Sequence, residues 1–200
     1  MFFRKSTTPS GPVEFIVAGL GNPGKQYAGT RHNAGFAALE ALAEKLGVKV
    51  DRVRFKSLCG EAVIGGKKVL LMMPQTFMNL SGQAVTEAMR FYKLPPEQTL
   101  ILFDDISLPP GTIRVRRKGS DGGQKGMQNI IYLSGSDQFP RVKLGIGAKP
   151  HPDYDLAAWV LSRFSPAESK LLLEAARAAA EAACLIISGD IEAAMNQYSK

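Results

Sequence analysis

The chain of 200 residues holds two histidines, and their settings differ. His32 lies in the polar stretch NPGKQYAGTRHN, just ahead of a helical repeat of apolar residues, with Asn22, Tyr27, Arg31 and Asn33 around it. Imidazole changes charge near neutral pH, so a histidine at the mouth of a cleft can take or give a proton there. An isolated histidine is more often a surface or capping residue. What lifts His32 above that is the acid pair Asp104-Asp105, which closes the apolar run TLILF. In open α/β sheets the carboxyl ends of the strands face one crevice. A carboxylate there that accepts one imidazole N–H fixes the tautomer and leaves the other nitrogen free to accept a proton. The spacing therefore allows a His-Asp dyad. His151, within HPDYD, is expected to be solvated.

A third segment, Pro74 to Gly82 (PQTFMNLSG), can bring amide and apolar groups to the same cleft, with Ser81 expected to cap the helix that follows. No serine or cysteine stands in a nucleophile-elbow context, so an activated water suits the pattern better than a covalent intermediate. No residues have metal-ligand spacing. Gly19-Leu20-Gly21-Asn22-Pro23-Gly24 matches G-x-G-x-x-G, yet a dinucleotide turn runs directly into a helix, whereas here KQYAGTRHN intervenes. The acid expected at the end of a second parallel strand is also poorly matched, Asp51 being the loose candidate. The glycines are expected only to make a tight turn.

These groups need a scaffold, and the hydrophobic pattern supplies one. Glu14 to Leu20 reads as a buried strand, and Phe36, Leu39, Leu42 and Leu46 recur at helical spacing up to Gly47. Residues 57 to 64 and 67 to 73 form a hairpin about Gly65-Gly66, because both central positions of such a turn need positive φ. A helix follows Ser81 and stops before Pro95-Pro96. Thr99 to Phe103 is a buried strand, and Ile113 to Arg116 alternates apolar with cationic residues. Met127 to Leu133 reads as a short helix and Arg141 to Ile146 as a last strand. Ser165-Pro166-Ala167-Glu168 is a capping box that opens a long Ala-rich helix ending before Gly189. The pattern predicts a single α/β domain over residues 14 to 200, a twisted mixed sheet flanked by helices, after a flexible leader of residues 1 to 13.

Hydrophobic residues at 45% and charged residues at 22% suit an ordinary folded domain and exclude disordered, collagen-like and coiled-coil classes. No stretch approaches the roughly 20 uncharged apolar residues that span a bilayer, and Met1 to Ser10 lacks the apolar core of a signal peptide, so a cytosolic protein is expected. Cys59 and Cys184 lack CxxC or CxxH spacing and are expected to be buried thiols. The net charge of +7 makes an anionic partner the expectation, nucleic acid first. Arg114, Arg116, Arg117, Lys118, Lys125, Arg141, Lys143 and Lys149 concentrate in one quarter of the chain. Such a run is often only a solvated face, but the charge excess and the neighbouring GSDGG loop favour phosphate binding. Aromatic residues are not interleaved with it, which points to a phosphate backbone rather than to stacked bases.

The segments IVAGLGNPGKQYAGTRHNAGF, PQTFMNLSG and FDDISLPPG, followed by the basic strand and GSDGG, resemble in order and spacing the bacterial peptidyl-tRNA hydrolase family. The resemblance covers about residues 14 to 195. It implies a monomeric α/β enzyme that cleaves the ester between a peptide and the 3′ ribose of tRNA, without metal or organic cofactor, recycling tRNA from stalled or dropped-off peptides. It implies that His32 is the general base and Asp104 the acid that holds it. By the same likeness Asn22 separates blocked from free aminoacyl-tRNA, and Tyr27, Phe77 and Asn79, with Met78 beside them, are substrate contacts. The amides of Asn22 and Asn79 suit the orientation of water and the stabilisation of a developing oxyanion. Arg114, Arg116 and Lys143 are expected to meet tRNA phosphates. Where the pattern commonly reads His-Asn-Gly, this chain has Gln124-Lys125-Gly126; an ammonium cannot accept a hydrogen bond, and a phosphate near the tRNA 3′ end is the partner it suits. A relative of the same fold that binds RNA without catalysis is the alternative, and intact His32, Asp104, Asn22 and Asn79 favour the enzyme.

Overall fold

The structure, a computed structural model, describes residues 11–199. Most of the expected leader falls outside that range, although Val13 already packs into the core. The elements are β1 (Phe15–Gly19), α1 (Ala34–Leu46), β2 (Arg52–Arg54), β3 (Ser57–Ile64), β4 (Lys67–Pro74), α2 (Ser81–Tyr92), β5 (Thr99–Asp105), β6 (Ile113–Arg116), α3 (Lys125–Ser134), β7 (Arg141–Gly145), α4 (Leu156–Val160), α5 (Pro166–Ser188) and α6 (Ile191–Tyr198). The strands form one mixed sheet in the order β2-β3-β4-β1-β5-β7-β6. Its centre, β4-β1-β5-β7, is parallel, while β2, β3 and β6 are antiparallel additions. Among the described residues no helix is long and apolar enough to cross a membrane.

The central strands are mostly apolar because both of their faces are covered, and their residues divide by parity. Phe15, Val17, Leu100, Leu102, Val142 and Leu144 join the cluster under α1, α5 and α6. Ile16, Ala18, Ile101 and Phe103 join the cluster under α2 and α3. The β3–β4 hairpin turns at Gly65-Gly66 with φ of 57° and 79°, as its sequence requires. The capping box at Ser165 and Glu168 is formed, and α5 begins there.

Three expectations are corrected. Ser81 does not cap α2: a 3₁₀ turn, Met78–Leu80, runs straight into the helix, so the Ser81 hydroxyl donates back to the Met78 carbonyl at 2.8 Å. The buried start of α2 is satisfied from another element, the Gly82 amide donating to Asn129 Oδ1 of α3 at 2.8 Å. Cys184 is half-buried rather than buried. The glycines after β1 do more than turn the chain. A Cβ on Gly19 would lie 2.4 Å from the Gly35 carbonyl oxygen, and one on Gly21 would lie 2.7 Å from the Phe36 ring.

Gly35, the second residue of α1, makes the tightest fit at the strand ends. A Cβ there would stand 2.3 Å from the Leu102 carbonyl oxygen and 2.5 Å from that of Leu20. Both groups are backbone, which cannot rotate away, so Gly35→Ala must lift α1 off the sheet. We expect this variant to lose about 3 kcal/mol, the upper end for overpacking, measured by denaturant unfolding with the m-value retained.

Candidate active site

The crevice at the carboxyl ends of β1 and β5 opens into a cavity of about 560 Å³. His32 enters it from a 3₁₀ turn, Arg31–Asn33, that leads into α1. Asp104 has the parity of Leu100 and Leu102, which face α1, so it meets His32 from below. His32 Nδ1 and Asp104 Oδ2 are 2.9 Å apart, and the two residues are 8% and 3% exposed. An ionised carboxylate only accepts, so the proton sits on Nδ1 and Nε2 is left with its lone pair.

Asn22 lies across the cavity wall with its amide oriented by its own chain. Its Oδ1 accepts the Met78 amide at 2.8 Å, and its backbone N–H and C=O are both bonded to the Asn33 side chain, at 2.8 and 3.0 Å. The Nδ2 group, with no partner among the described residues, is the end left for a ligand. Asn79, Phe77 and Tyr27 stand on the rim; Phe77 is 54% exposed and meets the Tyr27 ring edge-on at 6.4 Å. Met78 is buried behind them. Thus His32, Asp104, Asn22, Asn79, Tyr27, Phe77 and Met78 converge on one cavity.

The basic run does not behave as one track. Arg141 is 1% exposed and donates to the carbonyls of Phe139, Ser120 and Asp137, so it braces the Gly-rich loop instead of facing an anion. Burial pushes its pKa down to about 10, still protonated at neutral pH. Lys143 pairs with Asp105 at 3.0 Å. Burial pushes the Asp105 carboxyl up, but two hydrogen bonds from Ser107 and the contact with Lys143 outweigh it and hold the carboxyl below its usual range. Lys149 donates to the Pro152 carbonyl and Arg117 pairs with Glu192. Arg114 and Arg116 remain on the outer strand β6, Arg114 in register with Lys143. Lys125 is exposed at the cavity mouth, donating to Gln128 at 3.3 Å. His151 is solvated, as its loop composition predicts.

Two features escape the sequence reading. Gln124 is 8% exposed and donates from Nε2 to Asp104 Oδ1 at 3.0 Å, the carboxylate oxygen that His32 does not use. One wall of the cavity is apolar and comes from the α4 segment through Leu156, Ala157, Val160 and Leu161. That segment is tied down by Arg31, which turns away from the cavity. Its guanidinium donates to the Ile146 carbonyl, Ser162 Oγ and both oxygens of Glu168, and lies 3.9 Å above the Trp159 ring. Among the described residues no group of three or more His, Cys, Asp or Glu side chains could hold a metal ion.

The peptidyl-tRNA hydrolase family model matches residues 16–200. The chain belongs to the peptidyl-tRNA hydrolase family. It is 54% identical over 185 residues to the peptidyl-tRNA hydrolase of Caldanaerobacter subterraneus subsp. tengcongensis, covering 92% of this chain and 99% of that one. It is 50% identical over 186 residues to that of Agathobacter rectalis, covering 92% and 100%. Its fold is similar to the crystal structure of the peptidyl-tRNA hydrolase from Acinetobacter baumannii, with a TM-score of 0.87 at 36% identity, over 93% of this chain and 96% of that one. Within this peptidyl-tRNA hydrolase fold, the Arg31 tether has a consequence for pH. Burial raises the Glu168 carboxyl, but hydrogen bonds from Ser165 and then the contact with Arg31 outweigh it and leave it below 4.5. A depressed carboxyl stabilises the fold above its unfolded pKa, and that share is lost as pH falls through the folded value. We expect Arg31→Met to lose about 2–3 kcal/mol at pH 7 and the gap to the parent to narrow, without closing, as pH falls through the folded titration of Glu168, in unfolding curves measured across pH.

Proposed function

We propose that this chain hydrolyses the ester between a peptide and the 3′ ribose of tRNA with a water activated by His32. The observation that supports this reading best is the buried 2.9 Å contact between His32 Nδ1 and Asp104 Oδ2, which leaves Nε2 as the acceptor beside the cavity. Water hydrogen-bonded to Nε2 attacks the ester carbonyl carbon as its proton passes to the imidazole. The imidazolium so formed is stabilised by Asp104. The tetrahedral oxyanion takes hydrogen bonds from Asn22 Nδ2 and Asn79 Nδ2. Collapse breaks the bond to the ribose oxygen, which recovers the proton from His32, leaving a free peptide carboxyl and a tRNA with its 3′ hydroxyl. An ester needs no stronger electrophilic assistance than these amides give.

Asn22 also accounts for a preference for blocked substrates. With Oδ1 committed to the Met78 amide, its outward group is a donor, which suits the carbonyl of an acylated amine and opposes a free α-ammonium. Tyr27, Phe77 and the α4 wall give the acyl side chains an apolar lining. Arg114 and Arg116 meet the tRNA phosphates, with Lys143 joining only as its pairing with Asp105 is shared. Lys125 faces a phosphate near the 3′ end. We read the enzyme as a cytoplasmic monomer, as the likeness to the family implies.

We expect His32→Ala to reduce release of peptide from an N-blocked aminoacyl-tRNA by about 10²- to 10⁴-fold with tRNA binding nearly unchanged, and Asp104→Asn to reduce it by a smaller factor. A His32→Ala protein with near-normal turnover rules out the base assignment, and a parent protein that binds tRNA but releases no peptide points to a pure RNA-binding role. We further expect Arg114→Ala/Arg116→Ala to bind intact tRNA more weakly and with a shallower dependence on salt, each lost phosphate contact lowering the log–log slope by about 0.7 to 0.9. Turnover of a minimal ester lacking the tRNA body should stay at the parent value. Equal salt slopes would show that tRNA docks elsewhere.

A further inference from the structure

The dyad has a third member by contact that the proposed mechanism leaves without a task. Gln124 is the N-cap residue of α3: its Oε1 accepts the Met127 amide at 2.7 Å. That bond fixes which way the side-chain amide points. The Nε2 group is therefore directed at Asp104 Oδ1, 3.0 Å away, while Oδ2 holds His32. The loop that delivers Gln124 is itself braced, with the Gly123 amide on Asp121 Oδ1 at 2.7 Å and the Ser120 carbonyl on Arg141 at 2.7 Å. Gly126 leaves room for the side chain to fold back, since a Cβ there would lie 3.0 Å from Gln124 Oε1 and 2.6 Å from Met78 Sδ.

We propose that Gln124 is a positioning residue for catalysis: it holds the Asp104 carboxylate in the plane that presents Oδ2 to His32, and it does so with a neutral donor. The proposal rests on His32 being the base. A carboxylate held at one oxygen can rotate, and rotation carries Oδ2 out of line with Nδ1. A donor on Oδ1 also draws off part of the negative charge, so Asp104 stabilises the imidazolium in the reaction without trapping it beforehand. Removing the donor has two expected effects. Turnover falls, because the base is less well oriented, and the imidazolium is stabilised in the free enzyme, so the acid limb of the kcat/KM profile moves to higher pH.

The other titratable and charged groups near the dyad keep their places in this test. Asp105 faces the opposite side of the sheet with Lys143, Asp121 and Lys125 lie on the Gly-rich loop and at the start of α3, Tyr27 stands on the rim, and Arg31 is turned away with Glu168.

Two variants separate positioning from capping. Gln124→Ser keeps an N-cap oxygen for α3 but is too short to reach Asp104. Gln124→Met fills similar volume, keeps water away from Oδ1, and removes both donor and cap. Turnover of an N-blocked aminoacyl-tRNA is measured across pH, with thermal unfolding and His32→Ala alongside. We expect Gln124→Met to lower kcat about tenfold with KM unchanged and to move the acid limb up by about one pH unit, the equivalent of one hydrogen bond to a charge. We expect Gln124→Ser to show the same shift in direction with the parent's melting temperature. A Gln124→Met enzyme that melts earlier but keeps the parent's kcat and acid limb overturns the proposal and leaves Gln124 a cap. A raised KM with unchanged kcat also overturns it, making Gln124 a substrate contact. If His32→Ala remains active, the base assignment fails instead, whatever the Gln124 variants do.

Discussion

The geometry of the site depends on one steric constraint, the seating of α1 on the ends of β1 and β5 at Gly35. Backbone oxygens of Leu20 and Leu102 occupy the space where a side chain would begin. His32 is three residues before Gly35 and Asp104 two residues after Leu102, so the same contact that packs helix on sheet sets the imidazole over the carboxylate. No flexible side chain intervenes in that chain of contacts. The parallel pairing of β1 with β5, Gly19 in register with Leu102, supplies the floor. Placing the dyad is thus a backbone matter, and only the final 2.9 Å is decided by side chains.

Two buried arginines brace the crevice from opposite sides, and neither serves as a ligand for an anion. Arg31 gathers the Ile146 carbonyl, Ser162 and Glu168, fixing the apolar α4 wall and docking the start of α5 next to His32. Arg141 gathers three carbonyls that shape the loop leading to Gln124. A guanidinium has donors in a rigid fork and no acceptor, which suits the task of satisfying several carbonyl oxygens where irregular chain is buried. The consequence for recognition is that the cationic surface is narrower than the composition implies. With Arg31 and Arg141 buried and Lys143 paired, half-buried Arg114 and exposed Arg116 of β6 are left to carry the proposed contact with tRNA.

What could be read from the sequence follows a physical divide between local and distant determinants. The β3–β4 hairpin was legible because a Gly-Gly pair is required by its own turn, and α5 because its capping box lies within four residues. The dyad was legible because Asp104-Asp105 closes a buried strand, whose carboxyl end faces the crevice of the sheet. The β2–β3 hairpin was not legible: Phe55 and Lys56 make its turn, both at φ of 50°, where glycine or asparagine would have signalled it. What compensates is distant, the Phe55 ring packing 5.2 Å from Phe91 and 5.7 Å from Tyr92 of α2. The role of Ser81 was misread for a related reason, since the donor of the next residue is satisfied by Asn129, 47 positions away. Arg141 read as a surface cation because alternation along β7 says which face a residue takes, not whether a loop covers that face. The α4 wall is five residues long, too short for periodicity to declare it.

The chemistry around the dyad is carried by amides rather than by further charges, and the structure shows how each amide is aimed. Asn22 and Gln124 both give their carbonyl oxygen to a backbone N–H, of Met78 and of Met127, and Asn33 gives its own to the amide of Asn22. An amide with its oxygen committed cannot flip without leaving a buried donor unpaired, so its NH₂ becomes a donor of fixed direction. Asn33 directs it at the Asn22 carbonyl and Gln124 at Asp104, while that of Asn22 is left to the cavity. Lysine or arginine in these places would donate as well, but would add a charge beside His32 and lower its proton affinity, weakening it as a base. In the proposed mechanism, neutral donors orient the carboxylate and the reacting carbonyl while leaving the proton balance of the base to Asp104. In that arrangement asparagine and glutamine line the centre, while the nearby buried Arg31 and Arg141 turn their charge to carbonyls and to Glu168.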